Sequence, residues 1–208
     1  MPRRGRHSVL LGHVASLIFL GLSLCPTQSV ATSRQPVDAQ ALMNLLGRVK
    51  RVEVAYQETV ESTLIDIPLG TRGRLFYQAP ARIRRLSDQG DGFELDGERM
   101  RLISSGRVVN EFMVSDIKPL EAMVGALRAT FAGDLATLQA NYQLDYQIDQ
   151  THWSLDIGSR EGALSGLFER IRIIGDGATI ETIEILEPNG DQRSLRMQLL
   201  AREPVEIN

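Results

Sequence analysis

Few side chains in this sequence could carry out covalent chemistry. There is one cysteine, Cys25, and there are three histidines, His7, His13 and His152. Cys25, His7 and His13 all fall in the first 25 residues, so from Pro26 onward the chain has no thiol and one imidazole. That excludes a disulfide, a thiolate metal site and a multi-histidine zinc site from the body of the protein. No cofactor or metal is expected. A Ser–His–Asp arrangement would have to use His152, which opens a strand-like segment, "HWSLDI", beside Trp153 and reads as structural. Paired carboxylates could hydrolyse a glycan or lipid. However, the acids of "DIGSREG" and "PNGD" sit in turn-like sequence, and no spacing singles out a pair. The expectation is a protein that binds rather than an enzyme.

The arginine run "TRGRLFYQAPARIRR" raises a different chemistry. Five arginines interleaved with Phe76 and Tyr77 could form a stacking and phosphate-binding platform for nucleic acid. The charge balance argues against it. Residues 1–31 carry three arginines and no acid, so the remainder has 23 − 3 = 20 basic against 26 acidic residues, a net charge of −6. Such a chain is a poor partner for a phosphate backbone, and no nucleic acid is expected. Strand alternation places Arg72, Arg74, Arg82 and Arg84 on a wet face. Arg85 shares the face of Ile83 and is a candidate polar group at the mouth of a cavity.

The elements that would position these groups follow from the hydrophobic pattern. Arg3, Arg4 and Arg6, an apolar Ser8–Leu24 and a small-x-small Ser29-Val30-Ala31 together predict a secretory signal peptide cleaved near Ala31. The mature domain would be 32–208, in the periplasm. "LSLC" resembles a lipoprotein signal, so acylation at Cys25 and tethering to a membrane is the alternative. Leu42, Leu45, Leu46 and Val49 predict a one-faced helix over 37–50. Leu120, Met123, Val124, Leu127 and Phe131 form a second stripe, with Ala122, Ala126 and Ala129 beside it. Gly133 ends that helix, and Asp134 caps a shorter third.

The rest alternates as strands, about ten of them. Tyr142, Leu144, Tyr146 and Ile148 oppose polar neighbours, as do Trp153, Leu155 and Ile157. Turns at Asp96-Gly97, Ser105-Gly106 and Pro188–Asp191 join strands at hairpin spacing. A sheet of that size with one dry face and only short helices to cover it tends to curl. It would then enclose an apolar space under a partial helical cover. Pattern alone does not say whether side chains or a ligand fill that space.

An ordered set of motifs carries a resemblance. The N-terminal helix leads to "VEVAYQETVES", then to "GRLFYQAPARI", "LDGERM", the helical insert with "RATFAGD", "WSLDI", "IRIIGDG" and "LEPNGDQRSL". This resembles the LolA family of periplasmic lipoprotein carriers, and more closely a LolA-related branch that keeps "IDIPL". The resemblance implies an α+β fold: a strongly curved antiparallel half-open β-barrel with a lid of short helices. It also implies a monomeric carrier that binds lipid or lipoprotein acyl chains between sheet and lid. Its donor would be an inner-membrane lipid exporter and its acceptor would lie at the outer membrane. The expected cavity residues are Tyr56, Leu75, Tyr77, Leu95, Tyr146, Trp153, Leu155, Ile171 and Ile183. The expected lid residues are Leu42, Leu46, Leu120, Met123, Val124 and Leu127. Two departures stand out. Ala79 occupies the place of a basic residue thought to hold the classical lid shut, and Met100 replaces an aromatic.

Overall fold

A computed structural model describes residues 37–159 and 168–203. The expected signal peptide and Cys25 lie outside these residues. The described residues all belong to the second of the two units into which the chain divides, Gln35–Asn208. In chain order they form α1 (Val37–Gly47), β1 (Arg51–Ser62), β2 (Ile65–Gln78), β3 (Arg82–Ser87), β4 (Gly92–Asp96), β5 (Arg99–Ser104) and β6 (Arg107–Met113). A 3-10 turn, Val114–Asp116, then leads to α2 (Lys118–Ala132) and α3 (Leu135–Asn141). The chain continues with β7 (Tyr142–Asp149), β8 (His152–Ser159), β9 (Arg170–Asp176), β10 (Thr179–Leu186) and β11 (Gln192–Glu203).

The eleven strands make one sheet in the order β6-β5-β4-β3-β2-β1-β11-β10-β9-β8-β7. Every adjacent pair is antiparallel. Consecutive hairpins build each half, and β11 closes back beside β1 to join them. The end strands β6 and β7 do not pair with each other, so the sheet is open.

Its curvature can be derived from two contacts. Arg128 of α2 donates to Glu98, in the turn between β4 and β5, at 2.5 Å. Ala122 of the same helix accepts from the Tyr142 hydroxyl, at the start of β7, at 2.7 Å. Strands β4 and β7 are eight places apart in sheet order. Laid flat, eight spacings would span about 38 Å, whereas six helical residues rise only about 9 Å. The sheet must therefore curl around α2. Glycines help it bend: a Cβ at Gly73 or Gly92 would lie 2.0 or 1.9 Å from the carbonyl oxygen of Leu86 or Arg85.

The concave face is dry and the convex face wet, as alternation requires. β9 shows this cleanly: Ile171 and Ile173 are fully buried between half-buried or exposed neighbours. One apolar cluster joins α1, α2 and α3 to β7–β11, and a second joins α2 to β1–β5. The helix α2 differs from the expected stripe in what it buries most. Ala122, Val124, Ala126, Ala129 and Thr130 are buried, while Leu120, Met123, Leu127 and Phe131 are only partly so. Small residues let the helix backbone settle close to α1 and the sheet, which pushes the larger side chains to its flanks.

The helix ends follow their caps. Gly133 closes α2 in the left-handed region, φ 69°, and its N–H bonds Thr130 at 3.1 Å. Asp134 accepts from the Thr137 N–H at 2.9 Å, starting α3. α1 ends at Gly47, short of the expected residue 50. A Cβ on Gly133 would stand 2.0 Å from the Met43 carbonyl oxygen, so glycine is what allows α1 and α2 to touch there.

Candidate functional site

Where α1 and α2 cross the concave face, a cleft remains. Leu46 and Val49 wall it from the α1 side and Phe131 from α2. Val52, Val54, Leu75 and Tyr77 come from β1 and β2, with Ile180, Met197 and Leu199 opposite them. Its polar margin is Thr179 and Arg202. The cleft opens because the β10–β11 ladder stops at Thr182–Arg196, so that the last residues of β11 pair only with β1. It measures about 520 Å³ out to its open mouth, and only a small part of that is enclosed. That part is room for a few waters. Most of the volume lies toward the open mouth, and an acyl chain could be enclosed only if the helices moved outward.

The Tyr77 ring is the floor of this cleft and meets Phe131 of α2 at 5.2 Å between centroids, tilted by 52°. Its hydroxyl is buried and has no hydrogen-bond partner. Burial raises the Tyr77 phenol above its ordinary pKa. Arg202 donates from Nη2 to the Thr179 hydroxyl, while its Nε is buried without a partner. No carboxylate among the described residues forms an ion pair with it.

Of the expected cavity residues, Leu75 and Tyr77 line this cleft, as does Leu46 of the expected lid. Leu95, Leu155, Ile171 and Ile183 are buried in the two apolar clusters, as is Tyr56. Tyr146 packs half-buried beside them. Trp153 and Leu42 border a separate shallow cleft beside α1. Trp153 donates to the Gly177 carbonyl at 2.9 Å. Leu120 and Val124 belong to the cluster under β1–β5, and Met123 and Leu127 to the other. Val52, Val54, Phe131, Met197 and Arg202 also line the cleft and were not expected there.

Arg85 lies on the concave face, and the acid it meets is on the sheet. Glu58, on the same face of β1 as Val54 and Tyr56, is only 4% exposed. Arg85 donates to one of its oxygens, and Arg193 donates to the other at 2.8 Å. The Arg85 guanidinium also lies 4.5 Å over the Tyr56 ring. Arg193 reaches on to Glu187 at 3.4 Å. The pair of arginines thus clamps one buried carboxylate across β3, β1 and β11. The remaining arginines of the run are on the convex side, Arg74 against Glu53 and Arg82 against Glu94.

Ala79 packs among apolar side chains, and its N–H donates to the Lys50 carbonyl at 2.9 Å. Arg128 and Ala122, as described above, tie α2 to the sheet. Met100 is buried in the cluster with Leu95 and Val54. His152 is exposed, 3.8 Å from Asp176. Among the described residues no three metal-ligating side chains converge, and no helix is long and apolar enough to cross a membrane.

The family described as outer membrane lipoprotein carrier protein LolA-like matches residues 31–207. Among solved structures, a LolA superfamily protein from Nitrosomonas europaea is 8% identical with a TM-score of 0.41, covering 81% of this chain and 96% of its own. A putative outer membrane lipoprotein-sorting protein domain from Vibrio parahaemolyticus is 10% identical, TM-score 0.43, covering 79% and 92%. MucB of Pseudomonas aeruginosa, solved in complex with MucA, is 15% identical, TM-score 0.44, covering 78% of this chain and 56% of that one. A comparison with curated proteins returned no match. These structural likenesses all lie below a TM-score of 0.5, so the assignment rests on the sequence match over residues 31–207. The chain belongs to the LolA-like outer membrane lipoprotein carrier family.

Proposed function

We propose that this protein is a periplasmic carrier, a binding protein rather than an enzyme. It sequesters the acyl chains of a lipid or lipoprotein between the curved sheet and the helices and moves them toward the outer membrane. An inner-membrane exporter would load it and an outer-membrane acceptor would unload it. The observation that carries this is the apolar cleft under α1 and α2, walled by Leu46, Val54, Leu75, Phe131 and Met197. The energetics suit exchange. A ten-carbon chain gains about 8 kcal/mol gross on leaving water. The empty protein recovers part of that by folding its own helices over the same surface, so the net affinity is modest.

The test is native mass spectrometry of the protein purified from periplasm, together with uptake of an apolar fluorophore. A co-purifying lipid and saturable uptake are expected. An empty protein that takes up no fluorophore contradicts the proposal. The mass of the mature N-terminus separates a chain cleaved near Ala31 from one acylated at Cys25 and acting as a tethered receptor.

A further inference from the structure

The register places two unsatisfied polar groups in one row across the cleft. On β1, Val52 stands opposite Tyr77 of β2 on one side and Arg202 of β11 on the other. Directly opposed residues share a face, so all three point into the concavity. Arg202 comes to this face through a bulge. Glu53 pairs with Ala201 but Val54 pairs with Leu199, which leaves Leu200 without an opposite residue and shifts the parity of the strand. Without that bulge, strict alternation from Leu195 and Met197 would turn Arg202 to solvent.

The row spans two strand spacings, roughly 10 Å between the outer Cα atoms, within reach of a tyrosine and an arginine side chain extended toward each other. Tyr77 is 4% exposed, and its hydroxyl has no partner. Arg202 has a buried Nε with no partner and only the neutral Thr179 hydroxyl on Nη2. Leaving such donors unpaired in an apolar cleft costs stability, so they point to an acceptor that arrives with a ligand. The surrounding wall is apolar, so that acceptor belongs to an amphiphile.

We infer that the cleft takes an acyl amphiphile with an anionic oxygen head group, a carboxylate or a phosphate. The head group sits on Arg202, Tyr77 donates to a neighbouring oxygen of the same molecule, and the chain runs between Leu75 and Phe131. This rests on the carrier function proposed above and adds the class of head group.

The experiment measures displacement of 1-N-phenylnaphthylamine from the full mature chain by palmitate, palmitoyl lysophosphatidate and hexadecanol. The last has the same chain length and no charge. The acids should compete about tenfold better than the alcohol, the gain expected for a charged hydrogen bond. Arg202→Gln should abolish that preference, and Arg202→Lys should keep part of it. Tyr77→Phe should weaken the acids several-fold while leaving the melting temperature unchanged or higher, because it removes an unpaired hydroxyl. A merely structural tyrosine would instead lower it. Whichever acid competes at the lower concentration identifies the head group as carboxylate or phosphate. If palmitate, lysophosphatidate and hexadecanol compete equally in wild type and in Arg202→Gln, the head-group inference is overturned and the carrier proposal stands. If the fluorophore does not bind, both fall together.

Discussion

Replacing Glu58 by alanine should be among the most damaging single changes in the sheet. The carboxylate is 5% exposed at its side chain and holds Arg85, itself 19% exposed, and Arg193, 36% exposed. Removing one partner from a buried ion pair costs about 3–5 kcal/mol, because the remaining charge is left without compensation. The cost here should fall near the lower end, about 3 kcal/mol, because Arg193 can turn to solvent and to Glu187. Arg85 cannot: its Nε already lacks a partner, and its guanidinium is pinned over Tyr56. For a domain of this length each kcal/mol is worth about 2–4 °C, so the melting temperature should fall by about 6–12 °C. Thermal unfolding followed by circular dichroism reads it. Glu58→Ala with Arg85→Ala should cost clearly less than the sum of the single changes, because the second removes the stranded charge. A fall under about 2 °C for Glu58→Ala, or strict additivity in the double variant, would refute the clamp.

Other outcomes are expected at the lid. Phe131→Ala removes a half-buried ring facing Tyr77, so it should cost about 2 kcal/mol, less than a fully buried phenylalanine. It should also increase the uptake of an apolar fluorophore by widening the cleft, and equal uptake would argue that Phe131 does not close it. Gly133→Ala forces a side chain into φ 69° and toward the Met43 carbonyl. The backbone term alone is about 1–2 kcal/mol, and hydrogen exchange in α1 should accelerate as its contact with α2 loosens. Unchanged exchange would count against that contact. Burial raises Tyr56, Tyr77 and Tyr142 above the usual phenol range, with Arg85 pulling the other way at Tyr56. The folded state therefore keeps protons that the unfolded chain loses above about pH 10. Stability should be intact below that pH and fall as pH rises through the folded values. Ultraviolet titration of phenolate against denaturant midpoint checks the order, and tyrosines that ionise together at the ordinary pH would contradict it.

The alternation of apolar and polar residues was enough to find the strands, because a sheet with one dry face imposes a period of two on every strand. Turns at Gly97 and Gly106 and the caps Gly133 and Asp134 were legible for the same local reason. The curl was legible too, from too much dry sheet and too little helix. Three things were not. Which face of α2 lies deepest depends on close approach, which favours Ala126 and Ala129 over the leucines that hydrophobicity selects. Glu58 looks like one more polar residue in "YQETVES". That it faces inward follows from the parity of Val54 and Tyr56, but its two arginines come from β3 and β11, and no local pattern joins them. Arg202 reaches the cleft only through the bulge at Leu200, and a parity shift leaves no trace in the alternation that precedes it.

The central claim is that the cleft under α1 and α2 holds an acyl chain. It is tested most directly by adding 16-doxyl-stearate to protein with labelled leucine, isoleucine and methionine methyl groups and recording their NMR signals. The spin label should broaden Leu46, Leu75, Met197 and Ile180, which line the cleft, well before Leu155, Ile171 and Ile173 in the closed core. Uniform broadening over the surface, or none at saturating stearate, would contradict it.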